Sequence, residues 1–343
     1  MIKVGINGFG RIGRLTARIV LKKFKHQLDL VCINTSGRME AEGWTHLFEY
    51  DTAYGRYTGK VETLKNNMVV DGKKIPILGE QDLLKIPWGK YGTQIVIEST
   101  GVFRKEADLR KHLRDTVKKV VLSAPAKDPS NGSKEGDIKM YIIGVNEKEL
   151  NDDEIISCAS CTTNCVAPVT KVIDKAFGIS KAYMTTIHAY TSDQQLLDGS
   201  HKDLRRARAA AANIIPTSTG AAKSVGQIYQ NMAGIFDGIA IRVPVITASL
   251  SDFTFITKKK TDIKAVNKAF EQASCNDLKG ILGVTYKPIV SSDIIGLELS
   301  ALVDLSLTNV IEEDLVKVFA WYDNEWGYAN RLVEEVVLLG KRL

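Results

Sequence analysis

The sequence predicts an α/β fold in two parts: a parallel sheet flanked by helices, then an α+β part with a mixed or antiparallel sheet. Three observations carry this expectation. A β-branched apolar run, Ile2 to Ile6, leads into Gly8-Phe9-Gly10-Arg11-Ile12-Gly13 and then into a helical pattern with Leu15, Ile19 and Val20 on one face. Strand-like and helix-like segments keep alternating as far as Val145, as a parallel sheet requires. After a stretch from Ser157 to Cys165 that holds three of the five cysteines, strands of alternating character take over.

Taken in order, the first unit is strand, glycine turn and helix, the arrangement of a Rossmann dinucleotide-binding domain. Gly8 allows the tight turn, Gly10 lets a pyrophosphate approach the backbone, and Gly13 lets helix and strand pack closely. The free N–H groups and dipole of the helix start then hold the anion. A second strand spans Leu28 to Asn34, after which an NAD site usually places a carboxylate for the ribose 2′-hydroxyl. This chain instead reads Asn34-Thr35-Ser36-Gly37-Arg38. A carboxylate repels a 2′-phosphate, whereas Ser36 and Arg38 are able to bond one, so NADP acceptance is expected; the plainer reading makes them turn residues.

Further strands are expected at Thr93 to Glu98, Lys119 to Ser123 and Met140 to Val145, with a polar, turn-rich loop from Asp128 to Asp137. The first domain is placed at residues 1–160 and the second at 161–325, with 326–343 as a closing helix. Within the second, Pro168 to Phe177 reads as a helix with proline at its start. Met184 to His188 reads as a strand, and residues 190–213 as a long basic segment of the kind that is usually functional. Strands follow at Gly238 to Val243 and Ser249 to Thr257, then a helix from about Asp262 to Ser274 and a last helix from Ala329 to Leu338.

Composition narrows the function classes. The chain has 343 residues, 44% hydrophobic and 25% charged, which is ordinary for a globular protein and argues against disorder. A net charge of +6 is spread out, and the Lys258-Lys259-Lys260 run reads as a solvated turn, so no nucleic-acid partner is expected. No apolar run approaches the roughly 20 residues that span a bilayer, and the N-terminus lacks the order of a signal peptide. An odd cysteine number with three clustered thiols suits a reducing cytoplasm.

The cysteine stretch admits several chemistries. Cys158-x-x-Cys161 with Cys165 has partly zinc-like spacing, but a structural site needs a fourth ligand and no second C-x-x-C exists. A redox C-x-x-C is expected near the start of a thioredoxin-like unit, and Cys158 by itself suits a small buried residue. A nucleophile fits best. Cys161 falls at or near a helix start, where the dipole favours thiolate, and Thr162-Thr163-Asn164 offer donors for an oxyanion. His188, at the end of a strand, supplies a base. A cysteine nucleophile with a nicotinamide domain implies aldehyde oxidation through a hemithioacetal and a thioester. Arg206, Arg242, Thr191 and Thr219 would then bind phosphate groups; Arg205-Arg206-Ala207-Arg208 also suits a solvated basic loop.

At this point the chain resembles the phosphorylating glyceraldehyde-3-phosphate dehydrogenases. The matching motifs include Ile6-Asn7-Gly8-Phe9-Gly10-Arg11-Ile12-Gly13-Arg14, Glu98-Ser99-Thr100-Gly101, Ala159-Ser160-Cys161-Thr162-Thr163-Asn164-Cys165, Pro216-Thr217-Ser218-Thr219-Gly220 and Trp321-Tyr322-Asp323-Asn324-Glu325-Trp326-Gly327-Tyr328. The resemblance implies oxidation of glyceraldehyde 3-phosphate with inorganic phosphate and NAD or NADP, Cys161 as nucleophile and His188 as base. It implies that Ser160, Thr162, Thr191, Arg206, Thr219, Gly220 and Arg242 bind the two phosphates, and that Arg11, Ile12, Ser123 and Asn324 contact the dinucleotide. A homotetramer is implied, with residues 190–213 at subunit interfaces. Thr35 replaces the family's NAD-type carboxylate, and Ser200 stands where NAD-dependent members commonly carry proline, so both point to NADP; Gln81, where NADP-using relatives carry arginine, leaves both cofactors open. An erythrose-4-phosphate dehydrogenase of the same build is the alternative enzyme, and a thiol-redox or zinc-binding regulatory protein the alternative from another class.

Overall fold

A computed structural model describes residues 1–127 and 138–343; the expected loop from Asp128 to Asp137 lies outside the described residues. The chain divides into two compact units. One comprises Met1–Tyr141, Glu147–Ala159 and Ala329–Leu343, and the other comprises Ile142–Asn146 and Ser160–Tyr328.

The first unit contains β1 (Ile2–Asn7), α1 (Arg11–Lys23), β2 (Leu28–Asn34), α2 (Ala41–Glu49), β3 (Val61–Leu64), β4 (Asn67–Val70), β5 (Lys73–Leu78), β6 (Ile95–Glu98), α3 (Glu106–Leu109), β7 (Lys119–Leu122), β8 (Lys139–Met140) and β9 (Ile155–Ser157). The strand order is β3-β4-β5-β2-β1-β6-β7-β9-β8. From β5 to β8 every pairing is parallel. The order reverses between β1 and β6, so the carboxyl ends of these strands open a crevice, the place where α/β sheets bind ligands. Strands β6 and β7 are buried throughout, as a sheet covered on both faces requires. The antiparallel edge β3-β4-β5 was not legible in the sequence. Its turns place Lys65 and Asp71 at φ 53° and 50°, in the left-handed region where side chains other than glycine are uncommon.

The second unit contains α4 (Cys161–Phe177), β10 (Ile179–Ala189), β11 (Ile215–Ser218), α5 (Ala221–Ile228), β12 (Phe236–Val243), β13 (Ser249–Thr257), α6 (Ile263–Cys275), β14 (Leu282–Thr285), β15 (Ala301–Asp304), β16 (Asn309–Ile311) and β17 (Leu315–Tyr322), after which α7 (Trp326–Gly340) returns the chain to the first unit. Its sheet runs β11-β12-β10-β13-β17-β15-β14 and is mixed: β10 pairs parallel with β12 and antiparallel with β13. Strands β13 and β17 show the alternating burial of sheets with one face on a core.

Two expected elements differ. The helix expected to begin at Pro168 begins at Cys161, with Pro168 in its interior. Ser160 makes the earlier start possible, because its hydroxyl accepts from Thr163 N at 3.0 Å and caps the helix. The strand expected through Val145 stops at Met140. Beyond it Gly144 takes φ 84° and Asn146 Oδ1 accepts from Ile142 N at 2.8 Å, which closes a turn.

Candidate active site

Cys161 is the first residue of α4, so its sulfur sits at the positive end of a 17-residue helix. Ala159, two positions before it, holds φ 52°, in the left-handed region uncommon for side chains other than glycine. On β10, Thr186 and His188 fall on one buried face because strand side chains alternate. The His188 Nε2 lies 3.5 Å from the Cys161 Sγ. The parallel register of β10 and β12 sets Arg242 directly beside His188.

Donor counting fixes the imidazole. His188 Nδ1 lies 2.6 Å from the Ala189 carbonyl oxygen and 2.9 Å from Arg242 Nη1. A carbonyl only accepts and a guanidinium only donates, so Nδ1 serves one of them. The two hydrogens of Arg242 Nη1 are taken by Ala189 O and Thr191 Oγ1, each at 3.0 Å. Nδ1 therefore carries the proton and donates to Ala189 O, which leaves the Nε2 lone pair facing the sulfur. Burial, and then Arg242, push the imidazole down to about 3, so the ring is neutral at neutral pH.

The thiol feels opposing influences. Burial pushes it up, while Arg242, the Thr162 hydroxyl and the N–H groups of Thr162 and Cys161 pull it down, with burial prevailing. A helix start contributes about 0.3–1 kcal/mol, and up to about 2 when partly buried, which is of the order of one pKa unit and insufficient alone. Passing the proton to Nε2 keeps the pair neutral overall and avoids stranding a lone buried charge.

A polar cluster extends from this pair. Thr191 donates to Asp193 Oδ1, and Arg206 Nη1 donates to Asp193 Oδ2 at 2.6 Å. Arg206 also reaches Thr217 Oγ1 at 2.9 Å and Ser218 O at 3.1 Å, next to Thr219 and Gly220 at the start of α5. Partial desolvation pushes the Asp193 carboxyl up, but Thr191, Arg242 and Arg206 outweigh it and hold it below its ordinary range. With Arg206 and Arg242 on either side of Thr191, the cluster suits anionic phosphate.

Two of these participants were missed in the sequence. Asp193 lies in a segment without periodicity, so nothing marked it. Tyr322 was quoted only within a motif, yet its buried hydroxyl lies 2.8 Å from Thr186 Oγ1 and 3.1 Å from Thr162 Oγ1, and its ring stands edge-on to His188. The alternation of β17, which buries Val316, Val318, Ala320 and Tyr322, was the available signal.

The other cysteines stand apart from this chemistry. Cys158 and Cys165 are both fully buried, and burial pushes the Cys165 thiol up. Among the described residues no three His, Cys, Asp or Glu side chains are grouped as a metal ion requires, and no cysteine is in a disulfide.

In the first unit a cavity of about 440 Å³ opens at the strand-order reversal and includes Gly8, Gly10, Asn34, Thr35, Ser36 and Arg38 among its walls. The residues fit a dinucleotide. A Cβ on Gly13 would stand 2.1 Å from Gly8 O, whereas one on Gly10 would meet nothing within 4 Å, so the second glycine borders open space where a pyrophosphate approaches. Thr35 lines the cavity, but its hydroxyl donates to Leu78 O at 2.8 Å. Ser36 and Arg38 are exposed at the wall. Glu80, which sequence reasoning overlooked, lines the same wall, its Oε1 accepting from Asp82 N at 2.9 Å. Arg11 and Ile12 form the first turn of α1, with Arg11 paired to Asp51 at 2.7 Å. Ser123 follows β7, its N–H donating to Glu98 O. Ser200 and Asn324 belong to the second unit, where the Ser200 carbonyl accepts from Gln195 Nε2 and Asn324 Oδ1 from Ser249 Oγ.

Comparison with known proteins agrees with both halves. Residues 2–106 match the NAD binding domain of glyceraldehyde 3-phosphate dehydrogenase, and residues 160–324 match its C-terminal domain. The chain belongs to the glyceraldehyde-3-phosphate dehydrogenase family. It is 49% identical over 345 aligned residues to a glyceraldehyde-3-phosphate dehydrogenase of Streptomyces coelicolor, covering 100% of this chain and 99% of the relative. It is 47% identical to that of Thermotoga maritima, over 99% of this chain and 100% of the relative. It is also 47% identical to the chloroplastic A form of Zea mays, over 97% of this chain and 81% of the relative. As a family member the chain is an NAD(P)-using oxidoreductase with a Rossmann domain and an α+β domain.

Arg242 lowers both the Cys161 and the His188 pKa, so its removal raises both. In Arg242→Gln the pH profile for alkylation of Cys161 by iodoacetamide, measured without cofactor, is expected to move to higher pH. A profile that stays in place or moves down contradicts this electrostatic account.

Proposed function

We propose that the chain catalyses the phosphorylating oxidation of D-glyceraldehyde 3-phosphate, with Cys161 as nucleophile and His188 as base. The observation that carries this reading is the 3.5 Å approach of a helix-start thiol to an imidazole whose Nε2 lone pair faces it. Sulfur attacks the aldehyde carbon as its proton passes to His188 Nε2, a C–S bond forms while the carbonyl π electrons move to oxygen, and Nε2 returns that proton to the oxygen to give the hemithioacetal hydroxyl. The Cys161 N–H and the Thr162 hydroxyl, both beside the sulfur, are the donors that stabilise the charge on that oxygen during attack. His188 Nε2 then takes the hemithioacetal hydroxyl proton while a hydride leaves the carbon. Bound NAD(P)+ supplies the hydride acceptor. Inorganic phosphate attacks the resulting thioester, the C–S bond breaks, and Cys161 departs as thiolate with 1,3-bisphosphoglycerate as product.

Ser160, Thr162, Thr191, Arg206, Thr219, Gly220 and Arg242 hold the substrate phosphate and the attacking phosphate. Anion binding has a second effect: it offsets Arg242 and Arg206, both of which depress the imidazole, and so makes His188 a stronger base when substrate is present. The cofactor is held by Gly8, Gly10, Arg11, Ile12, Gly13, Thr35, Ser36, Arg38, Ser123, Ser200 and Asn324, with residues 1–160 and 326–343 carrying it and 161–325 carrying the chemistry. NADP and NAD are both accepted: Arg38 attracts a 2′-phosphate, and Glu80 at the same wall favours a ribose hydroxyl. A homotetramer is supported by Leu196, Leu197, Leu204 and Ile214, each at least 70% exposed within one segment. A cytoplasmic setting is supported by the odd number of cysteines, three of them clustered. Among the described residues no helix is long and apolar enough to cross a membrane.

Glyceraldehyde 3-phosphate is expected to give the higher kcat/KM when compared with erythrose 4-phosphate, and Cys161→Ser to abolish turnover. A preference for the four-carbon aldehyde, or full activity in Cys161→Ser, overturns the reading. Arg38→Ala is expected to lower kcat/KM with NADP+ about tenfold or more while leaving NAD+ within about twofold. Equal losses with both cofactors, or no turnover with NADP+ in the parent protein, refute the role of Arg38.

A further inference from the structure

Beneath the dinucleotide cavity lies a buried chain of hydrogen bonds that the chemistry above does not use. Its centre is Glu98, the last residue of β6, a carboxylate with 0% exposure. Burying such a group is costly unless fixed donors replace water. Glu98 Oε1 accepts from Thr100 N at 2.8 Å and from the Thr100 hydroxyl. Its Oε2 accepts from Asn7 Nδ2 at 2.6 Å and lies 3.2 Å from His112 Nε2. His112 is itself fully buried, and its Nδ1 lies 3.2 Å from Trp88 Nε1.

Trp88 decides the direction of the chain. An indole N–H only donates, so His112 Nδ1 is the acceptor, and the ring proton sits on Nε2 and points at Glu98. A protonated, doubly donating imidazole conflicts with the indole hydrogen, so the relay holds His112 in one neutral tautomer. The fold gives up a side chain to seat the indole: a Cβ on Gly5 of β1 would stand 2.6 Å from Trp88 Cζ3.

The far end of the relay reaches the cavity. Asn7 gives its amide hydrogen to Glu98, which leaves Asn7 Oδ1 to accept from Asn34 Nδ2 at 2.8 Å. Asn34 Nδ2 also donates to Glu80 O at 2.8 Å, and Asn34 Oδ1 accepts from Glu80 N at 3.0 Å. Asn7, Asn34, Glu80 and Thr100 all line the cavity, whereas Trp88 belongs to the apolar core and the buried His112 packs against it. We infer that His112 and Trp88 are positioning residues for the cofactor, acting through Glu98 to orient the Asn7, Asn34 and Thr100 wall. This rests on the reading of the cavity as the dinucleotide site.

The test compares two His112 variants by NAD+ titration of the whole protein and by steady-state kinetics. His112→Leu removes both the donor to Glu98 and the acceptor for Trp88; His112→Gln restores one of each. His112→Leu is expected to raise the NAD+ Kd and cofactor KM about tenfold. The loss appears in cofactor KM rather than kcat, and the aldehyde KM and the Cys161 alkylation rate of the cofactor-free protein do not move. His112→Gln is expected to recover binding to within about threefold. A folded His112→Leu that binds NAD+ like the parent overturns the inference, and so does a His112→Gln as weak as His112→Leu. Should His112→Leu fail to fold, Trp88→Phe keeps a ring and removes only the N–H; it is expected to bind NAD+ about threefold more weakly, and parent-like binding overturns the inference. Asn34→Ala separates the two levels. If it weakens NAD+ binding while His112→Leu does not, the relay alone fails, and if neither weakens binding the reading of the cavity fails as well.

Discussion

The catalytic unit depends on one pairing: β10 and β12 run parallel in a register that makes His188 and Arg242 neighbours. That neighbour occupies Ala189 O and Thr191 with its hydrogens, so the imidazole proton stays on Nδ1 and the lone pair stays toward Cys161. The same cation lowers the pKa of the thiol and of the base together. A one-residue slip would turn Arg242 to the other face of the sheet and remove all of these effects at once. The antiparallel pairing of β10 with β13 sets Thr186 opposite Ser251, and the contact between Tyr322 and Thr186 ties in β17, so strand pairing on either side holds the imidazole in place.

The parts of this arrangement that rest on local pattern could be read in the sequence. A strand, three glycines at fixed spacing and a helix describe a local unit, and β1, Gly8 to Gly13 and α1 formed as that pattern requires. Cys161 at a helix start and His188 in a strand were also local features. The errors came where a tertiary requirement overrode a local preference. Pro168 is a poor interior helix residue, yet the capped start at Ser160 and the burial of the helix outweigh its cost of about 3 kcal/mol. Asp193, Glu80 and His112 were invisible for a different reason. Each matters through partners distant in sequence or in an aperiodic loop, and a single polar residue carries no period to reveal it.

The dinucleotide cavity shows why cofactor choice is hard to derive from the residues after β2 alone. Thr35, which stands where the family's NAD-type carboxylate is expected, lines the cavity while its hydroxyl donates to Leu78 O. Glu80, after β5, lines the same wall as Arg38 because β5 pairs beside β2 and brings its loop there. Gly37 and Gly79 make that meeting possible: a Cβ on Gly79 would stand 2.9 Å from Gly37 Cα. Parallel pairing of strands far apart in sequence thus assembles the cavity wall, as it does the His188–Arg242 pair.

The central claim is that Cys161 carries the substrate as a thioester. It is tested most directly by mixing the protein with glyceraldehyde 3-phosphate and NAD+ in the absence of inorganic phosphate and mapping the acyl group by mass spectrometry. The account predicts a single acyl adduct, on Cys161, that disappears when phosphate is added and forms far more slowly in His188→Asn. An adduct on another residue, or rapid reduced-cofactor formation with no acylated Cys161, would contradict it.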